Sequence, residues 1–263
     1  MVNQGHRLSL EKPKKSAVAG RLKTPPESVY AEYCSGSAFY ILCSVDQGFE
    51  GSRMEAKYEV VISGMSGLFP ESDDVEVLRE NLYNKVDMVT TDNRRWPPGE
   101  LGVPSGLGKI SRDCFDYGFF GTSLKLATIM DPNTKITCEQ AFRAVCDSGM
   151  SLKDLSGSNT AVFMSSFTSE TEDLFLSEQN QGTYGLVAHS RTMQANRISF
   201  FLNLKGPSVA VDATWSGGME ALQRAYDSIA IGESVAAIVG SSSLIFAPQL
   251  SHHYQSEYLT VLG

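Results

Sequence analysis

G-P-S-V-A-V-D-A-T-W-S-G-G-M-E-A-L, residues Gly206 to Leu222, is the stretch on which the fold turns. Ser208 to Val211 alternate small and β-branched residues, as a buried strand does. From Met219 the apolar side chains return at Leu222, Tyr226 and Ile229, three or four apart, which is helical spacing. Between strand and helix lies a turn of small residues, Asp212–Gly218. A strand that enters a helix through such a turn presents it at a helix N-terminus, where backbone N–H groups and the macrodipole favour a thiolate or an oxyanion. The apex residue is Trp215, whose indole is neither a nucleophile nor a base. The frame suits a nucleophile, and the nucleophile is missing.

Working outward, 263 residues with 42% hydrophobic content suffice for one large or two small domains with a real core. A net charge of −8 argues against nucleic acid and against a basic membrane surface as partners. No apolar run approaches the roughly 20 residues needed to span a bilayer, and the N-terminus lacks the order of a signal peptide. The five cysteines (Cys34, Cys43, Cys114, Cys138, Cys146) form no C-x-x-C pair, and an odd number makes a poor disulfide framework. A reduced, cytoplasmic chain is expected. The histidines are His6, His189, His252 and His253; the adjacent pair has no cluster of partners nearby, so no metal site is assigned.

Residues 1–55 differ from the rest. They carry Pro13, Pro25 and Pro26, a basic start, and an apolar island, Ala38–Val45, too short to make a core by itself. They are expected to be a poorly ordered or foreign extension. Order is expected from a strand at Tyr58–Ile62, followed by a glycine turn at Gly64–Gly67. That turn lacks the G-K-[S/T] ending and the G-x-G-x-x-G spacing of nucleotide loops, so it reads as a place where backbone passes closely. Ser72 is the expected N-cap of a helix carrying Val75, Leu78 and Leu82 on one face. Thr90–Gly121 reads as a long connection in which Arg94 and Arg95 flank an anchoring Trp96. A helix should start at Asp131-Pro132 and run to about Asp147, with Cys138, Phe142 and Val145 on its buried face. A strand at Thr160–Ser165, a helix at Tyr184–Arg197, the central strand–turn–helix and a last strand at Val235–Val239 complete the alternation. Strands alternating with helices predict an α/β fold with a mostly parallel sheet and helices on both faces.

An ordered series of motifs then resembles one family. Val60-Val61-Ile62-Ser63-Gly64-Met65-Ser66-Gly67 with Phe69-Pro70, Val86-Asp87-Met88-Val89 with Arg94-Arg95-Trp96, and Phe119-Phe120-Gly121 before Met130-Asp131-Pro132 come first. Ala195-Asn196-Arg197-Ile198-Ser199-Phe200-Phe201, Gly206-Pro207-Ser208 and Ala237-Ile238-Val239-Gly240 follow. In this order they resemble the β-ketoacyl synthase (ketosynthase) domain of animal- or insect-type fatty acid synthase and related polyketide synthases. The resemblance implies the first half of a duplicated thiolase-like fold over residues 56–263. It also implies acyl-chain condensation in fatty acid biosynthesis with no cofactor of the enzyme's own, since substrates ride on the phosphopantetheine of acyl carrier protein.

The departures bear on function. In the family the central turn reads D-T-A-C-S-S-S; here Asp212-Ala213-Thr214-Trp215-Ser216-Gly217-Gly218 puts Trp215 at the position of the acyl-accepting cysteine. The two family histidines that drive decarboxylation come from the second half of the fold and have no counterpart here; His189, His252 and His253 match no catalytic position. At Asn133 the family has Gln, and Thr134, Lys135 and Thr137 follow, which is expected to weaken the helix's buried face. Three functions fit. One is a degenerate or truncated ketosynthase domain, inactive by itself, in which Trp215 is non-catalytic. Another is an interaction module that binds acyl carrier protein or an active synthase subunit, with Trp215 plugging the acyl tunnel. The third is a piece of a longer multifunctional synthase chain, or a faulty gene model. The exposed apolar residues expected on the central helix (Met219, Leu222, Tyr226, Ile229) imply a homo-oligomer or a required partner.

Overall fold

The computed structural model describes residues 36–46, 58–97, 100–103, 106–110, 114–177 and 184–253. In chain order these form β1 (Gly36–Asp46), β2 (Tyr58–Leu68), α1 (Val75–Tyr83), β3 (Val89–Thr90) and β4 (Leu107–Gly108). Next come α2 (Leu124–Ile129), α3 (Pro132–Asp147), α4 (Leu152–Leu155), β5 (Thr160–Ser166) and α5 (Glu170–Ser177). The chain continues through α6 (Gly185–His189), α7 (Thr192–Phe201), β6 (Ser208–Val211), α8 (Gly217–Ala230) and β7 (Ala236–Ser243).

Five strands make one sheet in the order β2-β1-β7-β5-β6. β5 runs parallel to both β7 and β6, whereas β1 is antiparallel to both of its neighbours. All strands except β1 therefore point the same way, giving the mostly parallel sheet that the alternation predicted. Side chains alternate across it, as strand geometry requires. Phe39, Ile41, Val162, Met164 and Ile238 face α3 and α7; Leu42, Ala161, Phe163, Ala237 and Val239 face α8. Helices cover both faces, and the core is two layers deep.

The place of β1 corrects the expectation for residues 1–55. Residues 36–46 are not an extension: β1 lies inside the sheet between β2 and β7, with Phe39 wholly buried. The island looked unsupported because its supports are far away in sequence. Phe39 pairs with Gly240, and the register holds from Gly36 opposite Ser243 to Cys43 opposite Ala236. The remainder, 1–35 and 47–55, lies outside the described residues.

Other boundaries shift for local reasons. The expected glycine turn at Gly64–Gly67 is the continuation of β2, and the glycines serve close packing. A Cβ at Gly64 would collide with the Ala144 carbonyl and Ser148 of α3; one at Gly67 would collide with the Phe69 ring. Asp74, not Ser72, caps α1, accepting from the Val77 N–H at 2.8 Å, while Ser72 is buried and accepts from Asn81. The single helix expected over 184–197 is two, α6 and α7, broken at Ser190-Arg191.

The N-terminus of α3 has the eroded face that its threonines predict, yet the polar groups are largely paired. Asp131 caps the helix through the Asn133 N–H (2.7 Å) and accepts from the Ser169 hydroxyl (2.7 Å). The Asn133 side-chain oxygen accepts from the Ser242 hydroxyl of β7 (2.8 Å), and Ser37 of β1 donates to Ser242 (3.0 Å). A satisfied buried network fixes one arrangement where apolar packing has been lost. Beside it, Glu170 accepts from the Phe246 N–H at 2.8 Å through one oxygen, while the other is buried with no hydrogen-bond partner among the described residues. Burial pushes the Glu170 carboxyl above its ordinary value, with a smaller push from Asp131 and opposition from the Phe246 and Ala247 N–H groups. A carboxyl whose folded-state pKa is raised favours folding when protonated, and that contribution is lost as pH rises through the folded pKa. Glu170→Gln keeps the acceptor and removes the desolvated charge. It is therefore expected to raise Tm by a few degrees at pH 7 and to have little effect near pH 4, as read by thermal melts across pH.

Candidate functional site

β6 delivers the chain to the head of α8 through the turn read first in the sequence. Gly206 lets β6 start against β5, since a Cβ there would meet the Thr160 carbonyl. After Asp212, Thr214–Ser216 close a single 3₁₀ turn with Thr214 at φ 47°. The left-handed region is unfavourable for a β-branched residue, so this turn holds local strain of about 1–3 kcal/mol. α8 begins at Gly217, with Ser216 as its N-cap residue; the Ser216 hydroxyl donates to the Ala213 carbonyl (2.8 Å) and does not cap the helix. The two glycines are needed for proximity to the sheet. A Cβ at Gly217 would strike the hydroxyl of Ser165 on β5, and one at Gly218 would crowd Ser241 on β7.

Trp215 stands at this apex and is 71% exposed. Its ring lies 6.0 Å from that of Phe167, tilted by 38°. One turn into α8, Met219 is 70% exposed, and Tyr226 is exposed further along. Leu222 is half-buried and Ile229 is buried against the sheet, so the apolar surface expected from four residues is carried by Met219 and Tyr226. α8 turns Ala221, Ala225 and Ile229 inward, which leaves its outward face to Met219, Gln223 and Tyr226.

A cleft of about 290 Å³ opens beside the turn, lined by Ser166, Glu172, Arg191, Thr192, Val211 and Asp212 among others. Arg191 ties its walls together. One guanidinium nitrogen donates to both the Phe167 carbonyl and the Asp212 carboxylate at 2.6 Å, and Glu172 lies 3.6 Å from another. Arg191 thus fixes the exits of β5 and β6 relative to each other and positions the turn. Sequence reading missed it, because within one continuous helix it was a surface residue. The signal lay in Ser190-Arg191-Thr192, a polar run that interrupts the apolar spacing.

The other residues singled out from the sequence lie elsewhere. Arg94 pairs with Asp92 and Glu71, and its hydrogen bonds hold the Asp92 carboxyl well below the usual carboxylate range. Arg95 sits over the Phe246 ring at 5.3 Å, and Trp96 is buried, as an anchored loop requires. The His189 ring stacks on Phe175, and His252 and His253 adjoin each other at the end of the described chain. His6 and Cys34 lie outside the described residues. Cys138 is buried on α3, where burial pushes its thiol up to about 12, whereas Cys114 and Cys146 are exposed. Among the described residues no cluster of three or more histidine, cysteine, aspartate and glutamate side chains is placed to hold a metal ion, and no helix is long and apolar enough to cross a membrane.

Comparison with known proteins places this geometry in context. The family profile "Beta-ketoacyl synthase, N-terminal domain" matches residues 57–259. A fatty acid synthase of Anser anser anser is 39% identical over 195 residues, which cover 73% of this chain and 55% of that protein. The Cluster 41 polyketide synthase of Aspergillus flavus is 33% identical over 210 residues, 75% of this chain and 19% of that protein. The chain thus spans about half of the goose protein and far less of the fungal one. Among solved structures, the ketosynthase from module 6 of the bacillaene synthase of Bacillus subtilis superposes with a TM-score of 0.64 at 23% identity, covering 84% of this chain and 34% of that one. The ketosynthase from module 1 of the Bacillus amyloliquefaciens bacillaene synthase gives a TM-score of 0.57 at 29% identity, covering 67% and 32%.

Proposed function

The chain belongs to the β-ketoacyl synthase N-terminal domain family, and from that premise we propose that it is a ketosynthase-type scaffold that does not itself accept an acyl group. The single observation behind this is the side chain at the head of α8. Acyl transfer in such a site needs a group there that attacks a thioester carbonyl and expels a thiol, and Trp215 offers an indole. The neighbouring hydroxyl is no substitute. Ser216 donates to the Ala213 carbonyl, and among the described residues no histidine lines the adjoining cleft to act as its base. The rest of the frame supports a turn built to present a reactive group: the strained Thr214, the glycines pressed to the sheet and the Arg191 brace.

The test is direct labelling. After incubation with an acyl thioester, mass spectrometry of the peptide that spans 212–218 is expected to show it unmodified. Stoichiometric acylation of that peptide would refute the proposal.

A second function is favoured by a separate observation, the exposure of Trp215 and Met219 one turn apart on the same helix head. Exposed tryptophan and methionine are typical anchors of protein interfaces. On this basis the scaffold pairs with another synthase domain, a carrier protein or a second copy of itself, through the surface where a substrate would otherwise enter.

A further inference from the structure

The family profile begins at residue 57, so β1 (Gly36–Asp46) precedes the family domain in the sequence. Yet β1 lies between β2 and β7, two strands that the profile covers, and it pairs with both. The matched part of the chain therefore holds a sheet with a gap one strand wide. Asp46 pairs with Tyr58, so residues 47–57 make the connection from β1 to β2. Hairpin loops run to about two to five residues. The connection exceeds a tight hairpin turn, and β1 is held by its ladders and its core contacts.

The walls of the gap are cut to this strand. Gly240 of β7 pairs with Phe39, and a Cβ at Gly240 would collide with the Phe39 ring. Gly67 of β2 pairs with Ala38, and a Cβ there would crowd the Ser37 carbonyl as well as the Phe69 ring. Phe39 and Ile41 enter the layer beneath α3 and α7, and Leu42 enters the layer beneath α8. Two hydroxyls add polar anchors. Ser63 of β2 donates to the Ile41 carbonyl (3.3 Å) where the register shifts between Ile41 and Leu42, and Ser37 donates to Ser242 of β7 (3.0 Å). Residues 36–45 carry no charge, which suits a strand buried on both faces. When a strand is added to a sheet, the main-chain ladder supplies affinity and the side-chain pockets supply selectivity.

We propose that the gap between β2 and β7 is a strand-binding site of the family domain, that β1 occupies it as a ligand carried on the same chain, and that the site takes the same strand supplied by another molecule. The recognition elements are an aromatic side chain opposite Gly240 and a hydroxyl opposite Ser242. The proposal is independent of Trp215. A tethered strand competes at an effective concentration in the millimolar range, so the site is open to a second strand only when its own is disabled.

The probe is a synthetic peptide of residues 36–46 with terminal lysines for solubility, and the receptor is the full chain carrying Phe39→Glu, which puts a charge where the ring is buried. The peptide is expected to bind one to one by calorimetry and to raise Tm by about five degrees or more at saturation. A peptide carrying the same Phe39→Glu change should bind at least tenfold more weakly. If the receptor does not fold alone, refolding it with the wild-type peptide should restore soluble chain, and refolding with the altered peptide should not. In the wild-type chain, the amides of β1 should exchange hydrogen at lower denaturant than those of β5, as release of a bound strand requires. A receptor that the peptide neither binds nor rescues, equal action of the two peptides, or β1 amides that exchange only together with those of β5 would each overturn the proposal.

Discussion

Trp215→Cys is expected to convert a chain that takes up no acyl group at the central turn into one that is acylated there to near one equivalent. The thiol would stand at the N-terminus of α8, a helix of 14 residues whose head carries no side-chain cap. There the macrodipole and backbone N–H groups lower a thiol pKa below the roughly 8.5 of free cysteine. The thiolate attacks the carbonyl of an acyl thioester, and the carrier thiol leaves with the proton balance made by solvent. Small neighbours at Ser216, Gly217 and Gly218 leave the backbone donors open to the developing oxyanion. Because the indole is exposed, its removal opens no core void. The contact with Phe167 that is lost is worth about 0.5–1.5 kcal/mol. Intact-mass and peptide mass spectrometry on both proteins gives the result. A variant that folds and is neither alkylated nor acylated at 215 would mean that the turn is not the nucleophile frame described here.

Phe39→Ala is expected to remove about 3–5 kcal/mol of stability, a large share of the roughly 5–15 kcal/mol that holds a domain together. The ring is wholly buried between β1 and α3. It also covers Gly240 on the facing strand: a side chain at Gly240 would collide with Phe39 and with Met164. No small residue can fill that space from either side. Ile62→Ala on β2, half exposed, is the control and should cost under about 1 kcal/mol. Denaturant melts of the two variants decide whether β1 belongs to the core. Equal, small effects would return residues 36–46 to the role of an appended segment.

The parts of this fold that were legible in the sequence are those whose pattern is local. β5 and β6 announce themselves as short β-branched runs between turns, and α3 by Asp131-Pro132 at its start and Gly149, at φ 75°, beyond its end. The motif order carried the family. What was not legible depends on distant partners. The Ala38–Val45 island reads as too short until β7, about two hundred residues later, is set beside it. Gly64 and Gly67 signal a turn by composition, but α3 and Phe69 press so closely on β2 that only glycine fits a strand there. Arg191 was hidden because the helix break that exposes it comes from polar residues rather than from glycine or proline. The buried polar start of α3 looked like erosion because its partners, Ser242 and Ser37, lie on strands at opposite ends of the chain.

The central claim is that the family frame is present and the condensing chemistry is not. It is tested most directly by supplying the wild-type chain and Trp215→Cys with an acyl thioester and a malonyl thioester, then measuring carbon dioxide release and β-ketoacyl product by mass spectrometry. The expected result is acylation in the variant alone and β-ketoacyl product from neither, because among the described residues no histidine lines the cleft beside the turn to promote decarboxylation. A β-ketoacyl product from the wild-type chain would contradict the account and assign the chemistry to residues other than those at the head of α8.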